Sequence, residues 1–367
     1  MVKTIRLFRV IILDPINIHS YIKACLSEKL SFLARCQIDE AVVVGGGLVS
    51  SVFRAKVDGR HIYLKQAIPG RLDKVKELLG DIPEDAFVVF NDDRQFAEIK
   101  ALAIFAKAVP EGFVPHVYYH DTDNRIIVLS EICDENGTVL YDRMNIEINL
   151  NNAATLGKNI ALVANYTYGK YEQLRDQELE RQIRQVKYKY EVGEVWDHIQ
   201  NTQQKEKALR KVNEFICSSL AISKVLVHGD YHERNILICN DHCGTLDLEE
   251  SHWGDPIEDI GKLSASYVLR IIYFEPIRKI AYRATLRLIG SYFETLKIPE
   301  SVKDLKKRFR VMLAGCLLLR IDGISSRWLP WVHEPYKKEI TRRLALSLVL
   351  EEESRYPLED LIDPKNF

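Results

Sequence analysis

His228-Gly229-Asp230-Tyr231-His232-Glu233-Arg234-Asn235, followed by Asp247 and then Gly254-Asp255-Pro256, is the stretch on which the reading of this chain turns. It sets an acid, an amide and a second acid at spacings that suit phosphoryl transfer. Asp230 can accept the proton of an attacking hydroxyl, and Asn235, five residues on, can turn its carbonyl oxygen to a magnesium ion. Asp247, beyond a short apolar hairpin, can bind the same metal. Magnesium takes hard oxygen ligands in octahedral geometry and keeps several waters, so a few side-chain oxygens and nucleotide phosphates complete its shell.

The flanks support a loop held between strands. Lys224 to Val227 and Ile236 to Cys239 are short apolar runs on either side, and Leu246-Asp247-Leu248-Glu249 reads as an acidic strand end. His228 precedes the loop and is expected to hydrogen-bond backbone. His232 either touches the transferring phosphate or serves only the loop. Asp255 and Asp259, with Gly254 and Pro256, are expected to brace the loop rather than to bind metal. Cys239 and Cys243 frame His242, but two further zinc ligands at suitable spacing are missing, so Asn240-Asp241-His242 reads as a hairpin turn.

The N-terminal part has a different character. Asp14-Pro15 precedes apolar positions at helical spacing from Ile16 to Ala34. Glu40 to Val44 predicts a strand, Gly45-Gly46-Gly47 a flexible turn, Ser51 to Val57 a second strand, and His61 to Gln66 a third after the Asp58-Gly59 hairpin signal. Glycines let backbone N–H groups approach phosphate. The triple glycine is neither G-x-G-x-x-G nor a P-loop, which argues against a Walker-type NTPase. Lys65 sits in an otherwise apolar strand, where a lysine can reach phosphates if a carboxylate holds it. Glu98, in a predicted helix from Asp93 to Ala108, is the candidate partner, with Asp92, Asp93 and Glu111 as competitors. Arg71 to Leu79 predicts another helix; Val114 to His120 and Arg125 to Ile132 predict paired strands.

After Cys133 the pattern is mostly helical: Asn152 to Leu220, Ile257 to Leu296, Val302 to Leu319 and Lys337 to Glu353. The charged run Lys170 to Lys189 reads as a solvated helix face. The 367 residues suggest two closely packed lobes, and 47% hydrophobic residues supply sizeable cores. A net charge of -1 gives no basic field for nucleic acid. The apolar run Val10 to Leu13, behind Lys3, Arg6 and Arg9, is too short for a signal peptide or membrane span. Seven scattered cysteines fit reduced thiols in a cytoplasmic protein better than a disulfide framework. A homodimer is left open.

HGD-x-x-x-x-N, an L-D-x-E strand and GDP-x-x-D-I-G together resemble the aminoglycoside phosphotransferase superfamily of protein-kinase-like small-molecule kinases. The resemblance covers most of the chain. It implies an α+β bilobal kinase fold: residues 1–132 as an ATP-binding lobe with a small antiparallel sheet, and 133–367 as a larger, mainly helical lobe with the catalytic loop and the acceptor site. It implies Asp230 as base, Asn235 and Asp247 as magnesium ligands, and Lys65 with Glu98 on the phosphates. It places adenine on the connector Ser130-Glu131-Ile132.

Softer motifs are similar to the methylthioribose kinase branch. They are Asp14-Pro15, Val52-Phe53-Arg54, Leu64-Lys65-Gln66-Ala67-Ile68-Pro69, Val114-Pro115-His116-Val117-Tyr118 and the tail Arg320-Ile321-Asp322-Gly323-Ile324-Ser325, with Arg342-Arg343-Leu344-Ala345-Leu346 further on. The chain departs from that branch at Gly45-Gly46-Gly47, where an Asp-Gly-Asn type loop is usual. It departs again at Asn235, where Ser is usual, and at Leu248, where Pro is usual.

The expectation is an ATP- and magnesium-dependent kinase of a small-molecule alcohol. A methylthioribose-like sugar is the leading acceptor, and an aminoglycoside, choline, ethanolamine or another sugar the alternative. Glu249 and Arg320 are candidate acceptor contacts beside Asp230, and Glu249, Glu250 and Asp322 would serve a cationic substrate. A catalytically inactive nucleotide-binding protein would normally lack the base, the metal ligands or the lysine, and all are present here. A peptide kinase would need His-Arg-Asp, Asp-Phe-Gly and Ala-Pro-Glu, which are absent.

Overall fold

Alternation along three N-terminal strands builds the first layer. β1 (Ile38–Gly46), β2 (Ser50–Val57) and β3 (Arg60–Ala67) form an antiparallel meander, and β4 (Val117–Asp121) with β5 (Ile126–Ser130) completes a five-stranded sheet in the order β1-β2-β3-β5-β4. The computed structural model describes residues 11–34, 36–46, 50–68, 83–90, 93–133, 137–240, 242–351, 355 and 357–366. The expected helix over 71–79, together with residues 1–10, Gly47, Pro69, Asp92 and Asp241, lies outside them.

Successive strand side chains point to opposite faces. Ile62 and Leu64 of β3 therefore join Phe53, Ala55 and Val57 of β2 and Ile126 and Val128 of β5 in one buried cluster. Ile18, Tyr21, Ile22, Leu26 and Leu33 cap that face. The single helix expected from Ile16 to Ala34 is instead broken into Ile18–Tyr21, a π turn Ile22–Leu26 and a 3-10 turn Ser31–Leu33. Wrapping a twisted sheet face with the apolar side chains in contact overrides the regular period. The opposite face of β3 presents His61, Tyr63 and Lys65 toward α1 (Arg94–Ala108), whose Ala97, Ala101, Leu102 and Phe105 are buried. Gly45 and Gly46 pair with Val52 and Ser51 at the end of β1, so these two glycines extend the strand rather than turn it.

The second lobe is helical around short sheets. It comprises a two-residue strand β6 (Thr138–Val139), α2 (Leu150–Thr167), α3 (Gln177–Tyr188) and α4 (Thr202–Leu220), followed by β7 (Val225–Val227), β8 (Ile236–Ile238), β9 (Cys243–Thr245) and β10 (His252–Gly254). Helices α5 (Ile257–Tyr273), α6 (Arg278–Thr295), α7 (Val302–Ile321) and α8 (Pro335–Leu350) follow. Every residue of α5 is buried, so its Glu258, Asp259, Lys262 and Arg270 all need internal partners. Among the described residues no helix is long and apolar enough to cross a membrane.

The thiol expectation needs a correction at one pair. Cys133, just past β5, and Cys239, at the end of β8, form a disulfide with Cα atoms 5.3 Å apart across a sequence separation of 106. The connector between the lobes packs on the β8–β9 hairpin, and His242 bonds the Ile132 carbonyl at 3.2 Å, which brings the two cysteines together. Cys239 is thereby occupied, and the hairpin turn stands. Protein purified without reductant, unfolded and alkylated should gain five adducts, on Cys25, Cys36, Cys217, Cys243 and Cys316, and seven after reduction. Intact mass spectrometry reads the difference; seven adducts without reductant would exclude the bridge.

Candidate active site

β7 runs straight into the loop 228–235, and a tight backbone crossing fixes its path. Gly229 has φ +82, and a Cβ there would collide with the Glu250 carbonyl, so only glycine fits. Asp259 of α5 accepts the N–H groups of His228 (2.8 Å) and Gly229 (3.1 Å). Asp255 is held by Arg308 (2.7 Å) and by the Ser219 hydroxyl (2.9 Å). Asp259 therefore braces the loop, as expected, whereas Asp255 ties the start of α5 to α4 and α7. His228 also meets its expectation: its Nε2 bonds the Leu246 carbonyl at 2.8 Å, and its Nδ1 accepts the Asp230 N–H at 3.3 Å. That imidazole ties the loop to the strand end carrying Asp247.

Asp230 and Asp247 lie deep between the lobes yet face the cleft, with side chains 37% and 41% exposed. Asn235 donates from Nδ2 to the Asp230 carbonyl (2.9 Å) and carboxylate (3.1 Å), which directs its amide oxygen to the other side. Asp247 adopts φ +65, a left-handed conformation that a short polar side chain tolerates better than most. Lys65 from β3 reaches Glu98 of α1 at 2.8 and 2.9 Å, as its strand position predicts. The same ammonium also contacts Asp247, and Glu249 lies at 3.0 Å.

Charge in this region is balanced toward the acidic side. Burial works against the Lys65 ammonium, but Asp247, Glu249 and Glu98 overcome it and hold its pKa well above the ordinary lysine value. Burial also pushes Glu98 up, to about 7, against the pull of Lys65. Lys65 is shared among these three carboxylates, and Arg94 pairs with Glu249 as well. Oxygens of Glu98, Asp247 and Glu249 lie within 4.8 Å of one another, a donor set that a hard divalent cation would satisfy. Glu249 therefore sits with the lysine and Asp247 while also lining the cleft in front of Asp230.

His232 approaches Asp230 at 3.3 Å and accepts the Arg234 N–H at 3.1 Å. Burial opposes protonation of the ring, but the Asp230 carboxylate outweighs it and raises its pKa. Desolvation in turn opposes ionisation of Asp230, while His232, Lys187 and Lys262 hold its pKa well below the usual carboxylate range. Arg320 does not reach the cleft: it donates to Glu233 at 2.8 and 3.1 Å inside the lobe, beside Arg270. A buried Glu233 demands cations, and the end of α7 supplies one. At the connector, Glu131 pairs with His61 at 2.8 Å, and the Ile132 carbonyl is the one bonded to His242.

Sequence reasoning missed several charged residues in and around the cleft. Lys187 of α3 pairs with Glu250 and with Glu191 (3.3 Å), and Lys262 of α5 bonds the Gly229 carbonyl and Glu191 (2.6 Å). Arg94 reaches Glu249, with Glu250 at 3.4 Å, and Arg175 donates to the Glu249 carbonyl at 3.0 Å. The run 170–189 is thus only partly solvated: Arg175, Glu180, Arg184 and Lys187 are all buried. Their signal was present, since Glu180, Ile183, Arg184 and Lys187 share one helical face.

A cleft of about 730 Å³ opens in front of Asp230, between the segment Pro83 to Phe90 of the first lobe and α3, the end of α7 and the turn Ile324–Trp328 of the second. Each carboxylate lining it is paired among the described residues. Glu249 and Glu250 have Lys65, Arg94 and Lys187; Glu191 has Lys262; Glu194 has Lys189; Asp197 has Lys205; Asp322 has Arg342 and Lys338. Asp247 has Lys65, and Asp230 has His232.

The model of the phosphotransferase enzyme family matches residues 43–287. No curated protein matches the sequence. Among solved structures, the chain is similar to a choline/ethanolamine kinase family protein from Mesorhizobium loti at 17% identity, covering 93% of this chain and 98% of that one with a TM-score of 0.50. It is also similar to an aminoglycoside 2'-phosphotransferase-IIIa in complex with GDP, at 12% identity, covering 91% and 99% with a TM-score of 0.50. At such identities the likeness is one of fold.

Proposed function

The chain belongs to the phosphotransferase enzyme family, and from that premise we propose that it is an ATP- and magnesium-dependent kinase acting on a hydroxyl of an uncharged, polyhydroxylated small molecule. A methylthioribose-like sugar is the leading candidate. Residues 1–132 form the nucleotide lobe, and residues 133–367 carry the catalytic loop and most of the acceptor site. Lys65, held by Glu98, engages the nucleotide phosphates. Asn235 and Asp247, with Glu249 beside them, would hold magnesium, which would supply neutralisation of phosphate charge. Asp230 orients the acceptor hydroxyl. The acceptor oxygen bonds to the γ-phosphorus as the bond from that phosphorus to its bridging oxygen breaks, ADP leaves, and the hydroxyl proton passes to Asp230. Positioning and charge neutralisation carry most of the rate, because the transition state is loose.

The observation that carries the acceptor class is that, among the described residues, every cleft carboxylate except Asp230, which has His232, is paired with a lysine or arginine. An unpaired carboxylate 4 Å from a substrate ammonium gives about 4 kcal/mol at an effective dielectric of about 20. A carboxylate already bonded to lysine or arginine gives far less. Glu250 and Asp322, which a cationic acceptor would use, are held by Lys187 and by Arg342. The test is ADP release with ATP and magnesium across a panel of pentoses including methylthioribose, choline, ethanolamine and aminoglycosides. Turnover should concentrate on the neutral sugars and disappear when magnesium is chelated. Preferential turnover of an aminoglycoside or of choline would overturn the acceptor reading.

A further inference from the structure

Trp328 ends the turn Ile324–Trp328, lines the cleft that also holds Asp230, and is 50% exposed. The residues after it behave otherwise. Leu329 and Val332 are buried, and the Trp331 ring lies against Tyr273 and Phe274, with centroids 5.5 and 5.0 Å apart. The core takes these side chains and leaves Trp328 at the cleft. Both ends of the turn are held. Asp322, just before it, accepts from Arg342 at 2.7 and 2.8 Å. The Trp328 carbonyl accepts from Arg234 at 2.5 Å, and Arg234 stands in the loop 228–235, next to Asn235. The Arg234 guanidinium carbon lies 4.0 Å from the Tyr141 ring, so this link between loop and turn is packed as well as hydrogen-bonded.

An indole is a large apolar surface, and leaving it half in water forgoes much of what burial would give. A single exposed apolar residue is ordinary on a protein surface. This one differs in being tied to the loop of the proposed base and in lining the acceptor cleft. Ser325 and Ser326 of the same turn line the cleft too, which sets hydroxyl groups beside the aromatic ring. A saturated sugar ring has the matching chemistry. Its faces carry C–H groups that meet the electron-rich face of an indole, and its edge carries hydroxyls that serines can bond.

We infer that Trp328 is a specificity-determining residue of the acceptor site, its indole the platform on which one face of the acceptor ring stacks. The inference rests on the acceptor reading above and deepens it: the substrate is cyclic as well as polyhydroxylated, because an open-chain polyol has no flat apolar face to present. Trp328 takes no part in proton or phosphoryl transfer. It holds the ring equally before and during transfer, so it sets acceptor affinity and not rate. Arg234 couples the turn to the loop, which keeps the platform in register with Asp230. The opposing possibility is a surface tryptophan that no ligand covers.

Iodide quenching of tryptophan emission on the whole protein separates the two. Of the four tryptophans, Trp196 and Trp253 are each 1% exposed and Trp331 is packed among rings, so Trp328 should dominate the quenchable emission. The best-used sugar of the panel, saturating and with ADP and magnesium present, should remove most of that quenching. Trp328→Phe should show little quenching with or without sugar. In parallel, KM for the sugar should rise by roughly 10–100-fold in Trp328→Ala, and less in Trp328→Phe, which keeps a smaller ring. The melting curve should not move, and kcat and KM for ATP should stay within about threefold. Turnover of a sugar that leaves wild-type quenching intact would overturn the inference, as would an unchanged sugar KM in Trp328→Ala or a wild type shielded by no member of the panel. Choline has no ring, so its preferential turnover would defeat this inference and the acceptor reading together. Preferential turnover of an aminoglycoside that shields Trp328 and loses affinity in Trp328→Ala would defeat the acceptor reading alone and uphold the platform.

Discussion

Asp230→Asn is expected to lower kcat by about 10³–10⁴-fold while leaving nucleotide affinity within a few-fold. The substitution keeps the shape of the side chain and an oxygen that can accept from Asn235, so the loop geometry survives. What it removes is a carboxylate that His232, Lys187 and Lys262 hold ionised although desolvation opposes it. An amide can still orient the acceptor hydroxyl but cannot take its proton. The proposed nucleotide contacts lie elsewhere, at Lys65 and the connector, which is why KM for ATP should hardly move. Steady-state kinetics with the preferred acceptor, together with a melting curve, check both halves. A variant that unfolds early, or that retains a tenth of wild-type kcat, would remove Asp230 from the role of base.

The geometry near Asp230 was legible because its determinants are local. The loop 228–235 lies between two short strands, and the spacing of Asp230 and Asn235 alone brings amide to carboxylate. Lys65 was legible for a related reason: strand alternation places it on the face opposite Ile62 and Leu64, and an amphipathic helix must cover that face. Partners chosen across long sequence separations were not legible. Arg320 looked like a free cation near the site, but Glu233, 87 positions earlier, claims it. Lys187 looked solvated because the charges around it are dense, and its partner Glu250 lies 63 positions away. The helical spacing of Glu180, Ile183, Arg184 and Lys187 did mark a buried face; what it could not supply was the identity of the groups opposite. The Cys133–Cys239 pair has the same origin, since only the docking of the connector on the β8–β9 hairpin brings the two together.

The same long-range logic predicts the most damaging substitution in the second lobe. Glu233→Met is expected to destabilise the fold by about 3–5 kcal/mol, because it deletes the one carboxylate that, among the described residues, pairs with both Arg270 and Arg320 in a buried ion cluster. Glu233 is 1% exposed and accepts from Arg320 at 2.8 Å, from Arg270 at 3.2 Å and from the Ser266 hydroxyl. Its backbone carbonyl also takes the Tyr141 N–H at 3.0 Å. Without the carboxylate, two guanidinium groups would face each other in a region where neither can be hydrated, Arg270 being fully buried. Arg270 would keep the Trp331 ring, 4.4 Å from its guanidinium carbon, which offsets only a small part. The melting temperature should fall by on the order of 10 °C. Because the loss comes from unbalanced charge rather than from a cavity, Glu233→Met/Arg320→Met should be more stable than Glu233→Met alone, although it removes more native contacts. Thermal or urea unfolding of the single and double variants decides it. A double variant weaker than the single would mean that packing, not charge balance, holds Arg320 behind the catalytic loop.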